Sequence, residues 1–111
     1  MGISGSTFRT WHRDASTWRA GRRFGRIPRD GGSSPFVASA TTDPGGIWAT
    51  TSDGTRYALW HSADGDRWTR VDTPASTPST AGDHTLAVAA ADVGMVLLSD
   101  DGRRARVWTA R

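Results

Sequence analysis

Residues 53–61 read DGTRYALWH, a glycine followed six positions later by a tryptophan. The pattern occurs twice more, as SGSTFRTWH over 4–12 and DGRRARVWT over 101–109. Gly5, Gly54 and Gly102 thus stand before Trp11, Trp60 and Trp108, at offsets of 49 and 48 residues. Upstream, GGIWATTSDG (45–54) lies on VGMVLLSDDG (93–102) without a gap, pairing Gly46 with Gly94, Trp48 with Val96 and Asp53 with Asp101. FVASAT (36–41) falls on HTLAVA (84–89) at the same offset. Downstream, WHRDASTWRA (11–20) follows WHSADGDRWTR (60–70) with one residue deleted, which sets Trp18 on Trp68. A period of this length marks a repeat architecture.

The repeated segments are short, rich in Thr, Val and aromatics, and separated by Asp-Gly, Pro-Gly-Gly and Asp-Gly-Asp turns. Those are strand and hairpin signals, and no window sustains a 3.6-residue apolar period. The unit therefore reads as strand A (36–42), strand B (46–52), strand C (56–62) and strand D (67–72). A C strand (7–12) and a D strand (17–22) precede it; an A strand (85–91), a B strand (94–99) and a C strand (104–109) follow. Four antiparallel strands repeated every 40 to 50 residues predict an all-β fold of β-propeller blades, each a four-stranded antiparallel sheet. Residues 1–22 end one blade, 23–35 link, 36–72 form a complete blade, 73–83 link, and 84–111 start the next, about two blades in all. A closed propeller needs about four to eight. The expected neighbours are further blades of a longer chain, or other copies in a homo-oligomer.

The turn Ser62-Ala63-Asp64-Gly65-Asp66-Arg67-Trp68 resembles the Asp-box, or BNR repeat, of the sialidase superfamily. Its spacing is one residue shorter than the commonest form. The resemblance implies a structural fastener, with Ser62, Asp64, Gly65 and Trp68 pinning strand C to strand D away from any substrate face. Asp64 suits an Asx turn and Gly65 a positive φ. The preceding unit keeps Trp18 but has HRDAST with no glycine, and the SDDG at 99–102 aligns with a B–C turn.

Composition limits the chemistry. The 111 residues suffice for one small domain, with apolar content of only 36% but six tryptophans to supply buried area. All fourteen basic residues are arginine, and Lys, Glu, Asn, Gln and Cys are absent. This rules out a disulfide framework and thiolate metal sites, and so one-sided a choice reads as coding bias. Seven arginines against Asp14 give residues 9–29 a charge of +6, and the rest of the chain carries −3. Such a segment reads first as a solvated loop; it also defines an alternative in which it binds nucleic acid or another polyanion, the less favoured partner. The start, MGISGSTFRTWHRD, shows no secretory h-region, and LAVAAADVGMVLL (86–98) is too short and too interrupted to span a bilayer.

A sialidase needs an arginine cluster for the sugar carboxylate, a nucleophilic tyrosine with a glutamate partner, and an acid/base aspartate; the tyrosine sets the class apart from two-carboxylate glycosidases. The one tyrosine, Tyr57, occupies a repeat position shared with Phe8 and Ala105, a packing position, and there is no glutamate. Arg26-Ile27-Pro28 resembles the family's R-I-P motif, although Gly25 intervenes after Phe24 and RDGGSS follows. His12 and His61 are repeat equivalents and His84 starts an A strand, so the histidines read as structural. No catalytic residue, metal site or cofactor is assigned. The B–C turns and the D–A connections emerge at the end opposite the Asp-box, which makes Arg26, Arg29, Arg56, Arg103 and Arg104 the candidate binding residues. The favoured expectation is a non-catalytic scaffold or recognition surface for glycan or protein. The alternative is part of an exo-sialidase whose other catalytic groups lie outside this chain. The resemblance alone points to an extracellular setting.

Overall fold

The computed structural model describes residues 1–28, 34–74, 77–79, 84–92 and 94–110. Among them the secondary structure is all strand: β1 (Gly2–Ser4), β2 (Thr7–Arg9), β3 (Trp11–Asp14), β4 (Thr17–Ala20), β5 (Phe36–Asp43), β6 (Gly46–Ser52), β7 (Tyr57–Ser62), β8 (Thr69–Val71), β9 (His84–Ala91), β10 (Gly94–Asp101) and β11 (Ala105–Ala110). Every pairing joins strands adjacent in the chain, and every pair is antiparallel. The sheets are β1-β2, β3-β4, β5-β6-β7-β8 and β11-β10-β9; each is open.

Strands β5 to β7 and β9 to β11 run where the turn signals place them, within one or two residues. The first unit departs from expectation. The strand predicted over 7–12 is two strands, β2 and β3, parted at Thr10, and an additional strand, β1, pairs with β2. Thr10 leaves the regular ladder because its groups serve other partners: its carbonyl accepts from Gly21 N at 2.8 Å and its hydroxyl donates to Gly65 O at 2.6 Å. The D strands are also shorter than predicted. Arg67 N is taken by the Asp64 carboxylate before β8 begins, and Arg22 N by Asp66 after β4 ends.

The sheets stack in three layers, with the four-stranded sheet in the middle. One face of that sheet presents Val37, Trp60 and Trp68 to Phe8, Phe24 and Ile27 of the first layer. The other presents Trp48, Tyr57, Leu59 and Val71 to Leu86, Val88, Met95, Leu97 and Trp108 of the third. Covering both faces removes the need for polar alternation, which is why Ala49, Thr50, Thr51 and Ser52 of β6 are all buried. The layers are also hydrogen-bonded. Ser39 and Thr41 on β5 accept from Val88 N and Ala90 N on β9, each at 3.1 Å, and so satisfy donors on an open sheet edge.

The repeat recurs at the level of single bonds. Trp60 Nε1 donates to Thr51 Oγ1 at 2.8 Å, and Trp108 Nε1 to Ser99 Oγ at 3.2 Å, one period on. In the first unit the corresponding position is Gly2, and the Trp11 ring lies against it. The turns match likewise: Asp53 Oδ1 accepts from Thr55 N and Arg56 N, and Asp101 Oδ1 from Arg103 N and Arg104 N.

Candidate functional site

Strand β7 separates two ends of the middle sheet that differ in chemistry. At its far end the Ser62 hydroxyl, 1% exposed, accepts from Gly65 N at 2.7 Å and donates to Asp64 Oδ1 at 3.2 Å. The same carboxylate oxygen accepts from Asp66 N at 2.8 Å and Arg67 N at 3.0 Å. The Arg67 and Asp66 N–H groups, helped by Ser62, hold the Asp64 carboxyl below the usual carboxylate range. Gly65 takes a φ of 78°, a region open to glycine. With Oδ1 committed to two backbone donors and one hydroxyl, Asp64 is a turn-former.

The turn also fastens one layer to another, through residues that the repeat pattern did not single out for this role. Gly65 O accepts from Thr10 Oγ1 and from His12 Nε2, the latter at 2.8 Å. Trp68 stacks on Phe24 with ring centroids 5.0 Å apart, and its Nε1 points to Thr10 Oγ1 at 3.4 Å. His61, the repeat equivalent of His12, instead donates to Gly45 O at 3.0 Å and lies 4.5 Å from the Trp48 ring. Among the described residues no three His, Asp, Glu or Cys side chains converge to hold a metal ion.

The opposite end is built from B–C turns and returning connections. Phe24 pairs with Phe8, and Ile27 N donates to Ser6 O at 2.8 Å. One repeat later Tyr57 N donates to Thr77 O at 3.0 Å and Ser79 N to Thr55 O at 2.9 Å. The connections thus lie beside the B–C turns. A cleft of about 210 Å³ opens there, with Arg26, Arg56 and Arg70 around Trp60, Tyr57 and Asp53. Gly25 turns the chain into it with a φ of 71°, where a Cβ would stand 3.2 Å from the Phe8 ring and 3.3 Å from Trp60. The residue that interrupts the R-I-P likeness is therefore the one that lets Arg26 approach the middle sheet.

Two of the five predicted arginines, Arg26 and Arg56, meet in this cleft. Arg103 and Arg104 sit on the equivalent turn of the third layer and are not among its lining residues; Arg29 lies outside the described residues. Arg70 was not singled out from sequence. Its cross-strand pairing with Trp60 places it there, a register that could be drawn from the Asp64-Gly65 hairpin. Burial works against the charge of Asp53, but the N–H groups of Arg56 and Thr55, the Thr55 hydroxyl and the positive charge of Arg70 outweigh it and hold the carboxyl low. The lining of the cleft thus carries three arginines and one ionised carboxylate, a composition suited to an anionic group. Tyr57 is anchored: its hydroxyl donates to His84 O at 3.1 Å, it packs on Phe36, and burial pushes its pKa up.

Compared with known proteins, the chain matches no protein family, no curated protein and no solved structure.

Proposed function

We propose that this chain is a non-catalytic segment of a BNR-type, sialidase-like β-propeller, a scaffold that recognises an acidic glycan or an acidic protein segment at its B–C turn end. The observation that carries the reading is the bond-for-bond recurrence of the Trp60–Thr51 and Asp53 turn geometry one period later, at Trp108–Ser99 and Asp101. Such recurrence is what stacked blades of one design produce. The recognition part is supported by the Arg26–Arg56–Arg70 cleft, which the aromatic residues Tyr57 and Trp60 also line, a combination suited to a carboxylate on an apolar sugar or peptide face. The non-catalytic part is supported by the use of Tyr57 in packing and by a sequence without glutamate.

Saturation-transfer NMR with a uronic acid oligosaccharide, a sialoside, an acidic peptide and a neutral oligosaccharide tests the reading. Acidic ligands are expected to bind, with the signal lost in Arg70→Ala and Arg56→Ala. Equal binding of the neutral sugar, or release of sialic acid from a fluorogenic sialoside by this chain alone, would overturn it.

A further inference from the structure

The two outer layers each leave one face uncovered, and the repeat identifies what those faces match. Trp11 and Trp18 correspond to Trp60 and Trp68, which pack on Phe24 with ring centroids 5.0 Å away in each case. In the first layer these two tryptophans have no such cover: Trp11 is 40% and Trp18 65% exposed, and β4 is exposed along its whole length. The pairings Arg13–Trp18 and Trp11–Ala20 set both rings on one face of the β3-β4 hairpin. At the other end of the stack, Leu98 and Val107 face each other across β10 and β11 and are 44% and 64% exposed. Their repeat equivalents, Thr50 and Leu59, are buried in the middle sheet.

Within the chain, then, a tryptophan-bearing face of one layer meets the opposite face of the layer before it twice. Trp60 and Trp68 do so against the first layer, and Trp108 does so against the second. The Trp11–Trp18 face and the Leu98–Val107 face are the two unmated halves of that same interface. Large apolar side chains in open water mark an interaction surface, and large aromatics are the usual anchors of such surfaces.

We propose that copies of this chain associate head to tail, the Trp11–Trp18 face of one copy seating on the Leu98–Val107 face of the next. The interface is heterologous, so each copy keeps one face free for a further copy until a ring closes or an open stack forms. The inference rests on the layered repeat and on the blade reading proposed above, in which these are the faces that a neighbouring blade covers; it stands whether or not the arginine cleft takes an acidic ligand.

Native mass spectrometry and sedimentation of the 111-residue chain test it. The expected masses are multiples of 11.9 kDa that fall toward one copy on dilution. Trp18→Arg and Val107→Arg each replace an exposed side chain, so both are expected to keep the β spectrum in circular dichroism and to be monomeric alone. Mixed together they are expected to form a heterodimer and nothing larger, because each retains the face that the other has lost. A single-copy mass across the micromolar range overturns the proposal. So does assembly by Trp18→Arg alone, or a mixture of the two variants that stays monomeric.

Discussion

Ser62 shows how much one hydroxyl can carry. It satisfies a buried N–H on Gly65 and steadies the Asp64 carboxylate that organises the rest of the turn. Ser62→Ala is expected to cost about 1–3 kcal/mol, the penalty of a buried donor left without its acceptor, measured by urea unfolding. Asp64 gives a pH signature. Its folded pKa is depressed, so the stability it contributes is present above the unfolded value of about 4 and is lost as pH falls through the folded value. Asp53 and Asp101 act in the same direction. The melting temperature is expected to fall on acidification from about pH 5, and to fall less in Asp64→Asn, which keeps an acceptor but does not titrate. The roles of Ser62, Asp64 and Gly65 are readable in sequence because the motif is local. Thr10 and His12 are more than fifty positions from the carbonyl they hold, and no local pattern reports such a contact.

At the scale of the element, the strands were legible because glycine and aspartate punctuate them. The B–C turns show why: Gly54 and Gly102 take φ values of 101° and 85°, beside aspartates that accept two N–H groups each. The broken strand around Thr10 was not legible, since the break arises from a partner in another sheet. The cleft was half legible: topology brought the B–C turn and D–A connection arginines to one end, and the Asp64-Gly65 hairpin register carries Arg70 there, but the packing of layers that leaves Arg103 and Arg104 aside has no local signal. The indole bonds make the strands testable. Thr51 is buried, and Thr51→Val keeps its shape while stranding the Trp60 N–H. A loss of about 1–3 kcal/mol is expected by thermal or urea unfolding.

At the scale of the molecule, stability is shared between layers. The middle sheet buries side chains on both faces, and each outer layer supplies one cover. In such stacks stability is approximately a sum of layer and interface terms. Removing residues 74–111 uncovers Trp48, Tyr57, Leu59 and Val71 together. The shortened chain is expected to bind an apolar dye and to unfold with a lower denaturant midpoint than the full chain, while the first two layers keep their β spectrum.

The contact between the first two layers has a genetic consequence. Its acceptor, Gly65 O, is a main-chain atom, so no codon change at position 65 can delete it; a replacement there acts through its new side chain, which would strike the His12 ring. The donors, by contrast, are side chains encoded two positions apart, at 10 and 12. Inheritance of these two bonds is therefore divided: their donors can be lost only by change in the first repeat, whereas the second repeat contributes the room that glycine leaves at position 65 and the Trp68 ring that stacks on Phe24.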